Sequence, residues 1–120
     1  MKLNPDCIRD VIIYVEENLE YGGLIDQFKI VGGLLDKYSE EDILYSAEQL
    51  IMRGWLLRVN TDGGIIVRDI LPPGHDFLAN TRTPGVWENT KQRLREKGIE
   101  AAIEIMGEVA GQVAKSKLGL

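Results

Sequence analysis

The chain is 120 residues long, 44% hydrophobic and 28% charged, the size and composition of one globular domain able to bury a core unaided. Its formal net charge of −5 argues against loose, charge-driven binding to nucleic acid, which needs a basic surface. A single cysteine rules out an internal disulfide, no apolar leader follows MKLN, and no apolar run approaches about 18 residues, so a cytoplasmic protein with no membrane partner is expected.

Asn4-Pro5-Asp6 starts a helix: Asn caps, Pro suits the first helical position, and Asp complements the positive end of the dipole. Apolar residues then recur at Ile8, Val11, Ile12, Val15 and Leu19 with helical spacing, and Tyr21-Gly22-Gly23 stops the run. Residues 24–38 alternate weakly around Gly32-Gly33; a short strand near 27–31, followed by a turn or a single helical turn, is expected. Ser39 caps the next helix, acids fill its first turn, and Ile43, Ala47, Leu50 and Ile51 form its apolar stripe up to Gly54. WLLRVN and IIVRDIL read as two strands around Thr61-Asp62-Gly63-Gly64, with Asp62-Gly63 as a turn whose two positions need positive φ. Pro72-Pro73 ends the second strand, and PPGHDFLAN reads as a short helix closing a domain over residues 1–80.

Residues 81–120 read as a C-terminal helical extension. A breaker-rich link at 81–85 leads to a basic helix over 87–97, and Gly98 breaks or bends it. A last helix from 99 to about 115 carries Ile99, Ile103, Met106, Ala110 and Val113 at alternating spacings of four and three, a short heptad-like seam. Gly107 and Gly111 lie four apart and would let another helix approach closely.

Helix, short strand, helix, hairpin, helix is the winged-helix order, with the second of the usual three helices reduced or missing. LYSAEQLIMRGWL resembles a recognition helix running into Gly and the first wing strand, with Trp55 where many such regulators have Leu. ILPPGHDFLAN resembles the junction from wing to closing helix, with Pro72 where Thr is common. The expected fold class is therefore α+β: a winged-helix (winged helix-turn-helix-like) core with a small β-hairpin wing and an added helical extension. Further, MKLNPDCIRDVIIYVEENL, YSEEDILYSAEQLI, and PPGHDFLANTR with the downstream VWENTK resemble an uncharacterised family of short proteins found in bacteria, phages and prophages. That resemblance covers nearly all of the chain. It implies a winged-helix core with a helical tail and no established activity, so it assigns no functional residue.

The chemistry-bearing residues are few. His75 beside Asp76 has no nucleophile motif and no second histidine to work with, and reads as a structural or surface residue. Cys7 falls in the first turn of a helix, where a thiol pKa can drop, but lies close to the apolar stripe and reads as a small buried hydrophobe. One Cys and one His cannot supply a closed N/S metal set, Glu40-Glu41-Asp42 lacks the spacing of a calcium loop, and the paired glycines are not phosphate-cradling loops. The expectation is a protein that is not an enzyme, with no cofactor and no evident small-molecule ligand.

Three surfaces remain. On helix 39–53 the free faces are expected to show Glu41, Asp42, Tyr45, Ser46, Glu48, Gln49, Met52 and Arg53. Ser46, Gln49 and Arg53 can read base edges, but three acids on one short reading face repel phosphate, so Glu41, Asp42, Tyr45, Glu48 and Gln49 are read as a candidate surface for a protein partner. The charge is uneven: residues 1–64 carry 12 acids and 6 bases, and residues 65–120 carry 7 acids and 8 bases. Arg58, Arg68, Lys91, Arg93 and Arg95 are accordingly the candidate DNA contacts, against the alternative of a solvated helix face. The seam of Ile99, Ile103, Met106, Ala110 and Val113 either packs back on its own domain or pairs with a second copy. The reading is a binding protein of phage or prophage type, with a protein partner or itself as ligand; the alternative is a DNA-binding transcriptional regulator.

Overall fold

The computed structural model describes residues 2–61, 63–96 and 103–119. Its elements run α1 (Pro5–Asn18), β1 (Ile25–Asp26), α2 (Gln27–Leu34), α3 (Glu40–Met52), β2 (Leu56–Arg58), β3 (Ile66–Ile70), α4 (Pro72–Arg82), α5 (Val86–Glu96) and α6 (Ile103–Lys117). The fold is α+β: the described residues form six helices and one small antiparallel sheet in the order β1-β3-β2.

The helix starts follow their caps. Asn4 Oδ1 accepts from Cys7 N at 3.2 Å with Pro5 in the first turn, and Ser39 Oγ accepts from Asp42 N at 3.2 Å. Glu40, Glu41 and Asp42 then sit where the helix dipole favours negative charge. α1 buries Cys7, Ile8, Val11, Ile12 and Val15 against the α3 face of Ile43, Ala47 and Leu50.

The strand expected near residues 27–31 is instead the helix α2, so the second helix is present, though short at 8 residues against 14 in α1 and 13 in α3. Asp26 Oδ1 accepts from Lys29 N at 2.9 Å and so starts α2 one residue after the sheet ends. Ile30, Val31 and Leu34 then face inward at helical spacing. Strand pairing is confined to Ile25 opposite Val67 and Asp26 opposite Ile66. Gly33 permits the helix its position, because a Cβ there would lie 2.2 Å from Tyr14 Cε2.

The hairpin also differs from the expected tight turn. The β2–β3 register slips between Leu57 and Arg58, a bulge, and the loop spans residues 59–65. Positive φ falls on Gly64, at +70°, and not on Gly63; Asp62 lies outside the described residues. Gln27 fastens the base of this loop to α2: its N–H donates to Ile65 O at 2.8 Å, and its Oε1 accepts from Ile65 N at 2.7 Å.

One apolar cluster runs from Cys7 to Ala114, so α5 and α6 share the core of the preceding elements. Trp55, Phe77 and Trp87 form its aromatic centre. The Trp55 and Phe77 rings lie 5.0 Å apart and tilted, and Phe77 meets Trp87 edge-on at 5.6 Å. Phe77 is 1% exposed, and its truncation to Ala would cost about 3–5 kcal/mol.

Candidate functional site

α3 turns its solvent side outward as a stripe of Glu41, Tyr45, Glu48 and Met52, spaced four, three and four. Glu41 and Glu48 are exposed, Tyr45, Asp42 and Gln49 are half-buried, and Met52 is 75% exposed. Ser46, expected on a free face, is only 1% exposed. It lies on the buried side of α3, which packs on α1, so it is withdrawn from any reading surface.

Two exposed basic residues, one at the end of α3 and one on β2, make contacts within the chain. Arg53 Nη1 lies 3.0 Å from Glu104 Oε1 on α6, and Arg58 Nη2 donates to Gly64 O across the loop. Arg68, exposed on β3, borders an open cleft of about 570 Å³ lined also by Leu19, Tyr21, Leu24 and Asp69.

The five candidate DNA contacts are not gathered into one patch. Lys91 is folded against α1: its Nζ lies 3.0 Å from Asp6 Oδ1 and 3.3 Å from Glu88 Oε1, and its side chain is 17% exposed. Arg93 is half-buried and Arg95 exposed on α5, whereas Arg58 and Arg68 lie on the strand pair.

Asp6 is the residue that sequence reasoning missed. Its Oδ1 accepts from Trp87 Nε1 at 2.9 Å as well as from Lys91, and the Arg9 guanidinium lies 5.6 Å from the Trp87 ring centroid. Partial burial pushes the Asp6 carboxyl up, but the hydrogen bonds from Trp87 and Lys91 and the charges of Lys91 and Arg9 outweigh it and hold the group below the usual carboxylate range. Burial pushes the Lys91 ammonium down, yet Asp6 and Glu88 hold it above its ordinary value. An acid in a helix first turn is fully explained by the dipole, so no local signal pointed to a partner 85 residues away.

The remaining chemistry-bearing side chains are placed as follows. Cys7 is buried, and desolvation, with the charges of Asp42 and Asp10, pushes its thiol up against the Ser46 hydrogen bond, which disfavours a reactive thiolate. Tyr38 donates to Asp10 Oδ2 at 2.6 Å; burial and that carboxylate push the phenol far above its usual range. His75 and Asp76 both face solvent. Among the described residues no three His, Cys, Asp or Glu side chains come together to hold a metal ion.

The apolar seam of the last helix is turned inward. Ile103, Met106, Ala110 and Val113 are 0–2% exposed and pack on α4 and α5, while Ile99 lies outside the described residues. Gly107 makes room for the Trp55 ring rather than for a helix of another copy: a Cβ there would lie 2.9 Å from Trp55 Cζ2. Among the described residues the seam is therefore covered from within the chain. Nor is any helix among the described residues long and apolar enough to cross a membrane.

A family model described as "Hypothetical protein (DUF2513)" matches residues 2–100, and the chain belongs to that family. A Haemophilus influenzae protein described as "Uncharacterized protein" is 22% identical over 122 residues, covering 98% of this chain and 99% of its own length. No solved structure matches the chain.

Proposed function

We propose that this member of the DUF2513 family is a non-catalytic winged-helix protein that binds a protein partner through the exposed face of α3. The winged-helix reading is supported by the order helix, strand, helix, helix, strand, strand, with the first strand paired to the last of the three. In that arrangement α3 holds the place of a recognition helix.

The observation that carries the function is the character of this helix's free stripe. It is acidic at Glu41 and Glu48 and apolar at Met52, and the adjacent Arg53 and Arg58 are engaged by the protein itself. Such a face repels phosphate and matches a basic surface with an apolar recess. The phage or prophage setting implied by the resemblance, and action in the cytoplasm, belong to the same proposal.

The second reading is a DNA-binding regulator, favoured by the exposed Arg68 and Arg95. Fluorescence anisotropy against DNA from the neighbourhood of its own gene, at about 50 and 200 mM salt, separates the two, because phosphate contacts weaken steeply over that range. The protein-binding reading expects no saturable signal at the lower salt. It also expects a photo-crosslinker at Tyr45 to give a discrete adduct in cells that disappears when Glu41 and Glu48 become Gln. Saturable, salt-sensitive DNA binding would replace this reading with the regulator.

A further inference from the structure

α2 leaves one side without a partner. Ile30, Val31 and Leu34 face the core, and Gly33 abuts the Tyr14 ring. On the opposite side Phe28 is 77% and Leu35 53% exposed. No side chain of the described residues covers these two large apolar groups to the extent that the core covers Ile30 and Leu34. Between them sits exposed Gly32, where a Cβ would meet nothing within 4 Å. Lys29 and Asp36 are also exposed, and neither makes an ion pair among the described residues.

At 3.6 residues per turn these five positions form an ordered pattern. Phe28, four before Gly32, and Leu35, three after it, fall on one flank of the outward line; Lys29, three before, and Asp36, four after, fall on the other. The helical path reaches Asp36, since Leu35 N donates to Val31 O at 3.0 Å and Tyr38 N to Leu34 O at 3.1 Å.

We propose that α2 is a self-complementary surface on which a second copy of this chain docks its own α2, antiparallel, with the two Gly32 residues at the crossing. A two-fold axis perpendicular to both helices keeps each flank on its own side and reverses the helix direction. Phe28 of one copy then meets Leu35 of the other, and Lys29 meets Asp36, twice over. A parallel pair would set the apolar flank against the charged one. Charge complementarity thus selects both the partner and the orientation, and Gly32 lets the backbones approach. This inference does not depend on the reading of α3.

One short helix face falls below the roughly 800 Å² per partner of a standard interface, so the dissociation constant is expected on the order of 10–100 µM. Sedimentation of the full chain over about 5–500 µM, a range bracketing that value, should show a shift from 13.5 kDa toward twice that mass. Phe28→Ser with Leu35→Ser should abolish the shift. Lys29→Asp alone, or Asp36→Lys alone, should weaken pairing by about tenfold, because each turns two attractions into repulsions. Both single reversals agree with the dipole of α2, so the fold should tolerate them, which circular dichroism is used to check. The double variant Lys29→Asp/Asp36→Lys should restore pairing to near the starting value. A monomer throughout the range overturns the proposal, as does self-association that survives the loss of Phe28 and Leu35. Double reversal without recovery overturns the antiparallel register.

Discussion

Replacing Gly74 by Ala places a methyl carbon 2.7 Å from the Trp55 carbonyl oxygen, 2.9 Å from Ile12 Cδ1 and 2.9 Å from Ile70 Cγ2. None of the three can yield cheaply. Trp55 O accepts from Leu71 N at 2.9 Å, the bond that ties the start of β2 to the entrance of α4. Ile12 and Ile70 are 0% and 6% exposed. Overpacking of this kind costs about 1–3 kcal/mol, and loss of the Leu71 hydrogen bond adds roughly 1 kcal/mol. Against this, alanine gains at most about 1 kcal/mol over glycine in a helix. The net is a destabilisation of about 1–3 kcal/mol, or a fall in Tm of roughly 4–12 °C for a domain of this size. Gly32→Ala is the control. It too lies in a helix, but its new methyl meets open space, so it should stabilise by about 0.5–1 kcal/mol. Thermal and urea unfolding followed by circular dichroism, at a few micromolar where α2 pairing is absent, measures both. Equal shifts of the two variants, or an unchanged Tm for Gly74→Ala, would refute the reasoning that close approach at Trp55, and not helix propensity, dictates glycine at position 74.

Asp6→Asn should be less stable than the parent at pH 7 by no more than about 1 kcal/mol, since the carboxylate is 51% exposed and its ion pair is screened. The sign with pH follows from a folded value held below the ordinary one. The carboxylate's contribution is complete above about pH 4, where the unfolded group is also ionised, and is lost as pH falls through the folded value. Urea midpoints at pH 7 and pH 3 should therefore converge for the two proteins on acidification; a constant gap would assign the effect to something other than the carboxylate charge. At the hairpin, Gly64→Val should cost about 1–2 kcal/mol more than Gly63→Val, because only Gly64 holds a left-handed φ, at +70°. Equal losses in Tm would place the turn elsewhere.

Local chemistry was enough to find α1 and α3. Asn4-Pro5 and Ser39 cap their own helices through bonds spanning three residues, and the apolar stripes that follow need only the helical period. The acidic character of the α3 face was legible for the same reason. α2 was not legible, because Gly32-Gly33 reads as a turn in any local window. Its helix rests on Asp26 as a cap, on burial of Ile30 and Leu34, and on a Tyr14 ring that occupies the space a side chain at 33 would need.

The turn glycine was misplaced by one because the bulge at Leu57/Arg58 belongs to the pairing of two strands and not to the loop's own residues. Ser46 has the composition of a surface residue and the position of a core one, decided by where α1 crosses. The heptad-like spacing of Ile103, Met106, Ala110 and Val113 shows an apolar face whatever covers it; Trp55 and α4 reached that face first. Asp6 and Lys91 meet across 85 residues. Hydrophobic period and caps act within a turn or two, so one sequence displays them. Which charge is paired and which apolar face is spent depend on elements brought together only by the shared core.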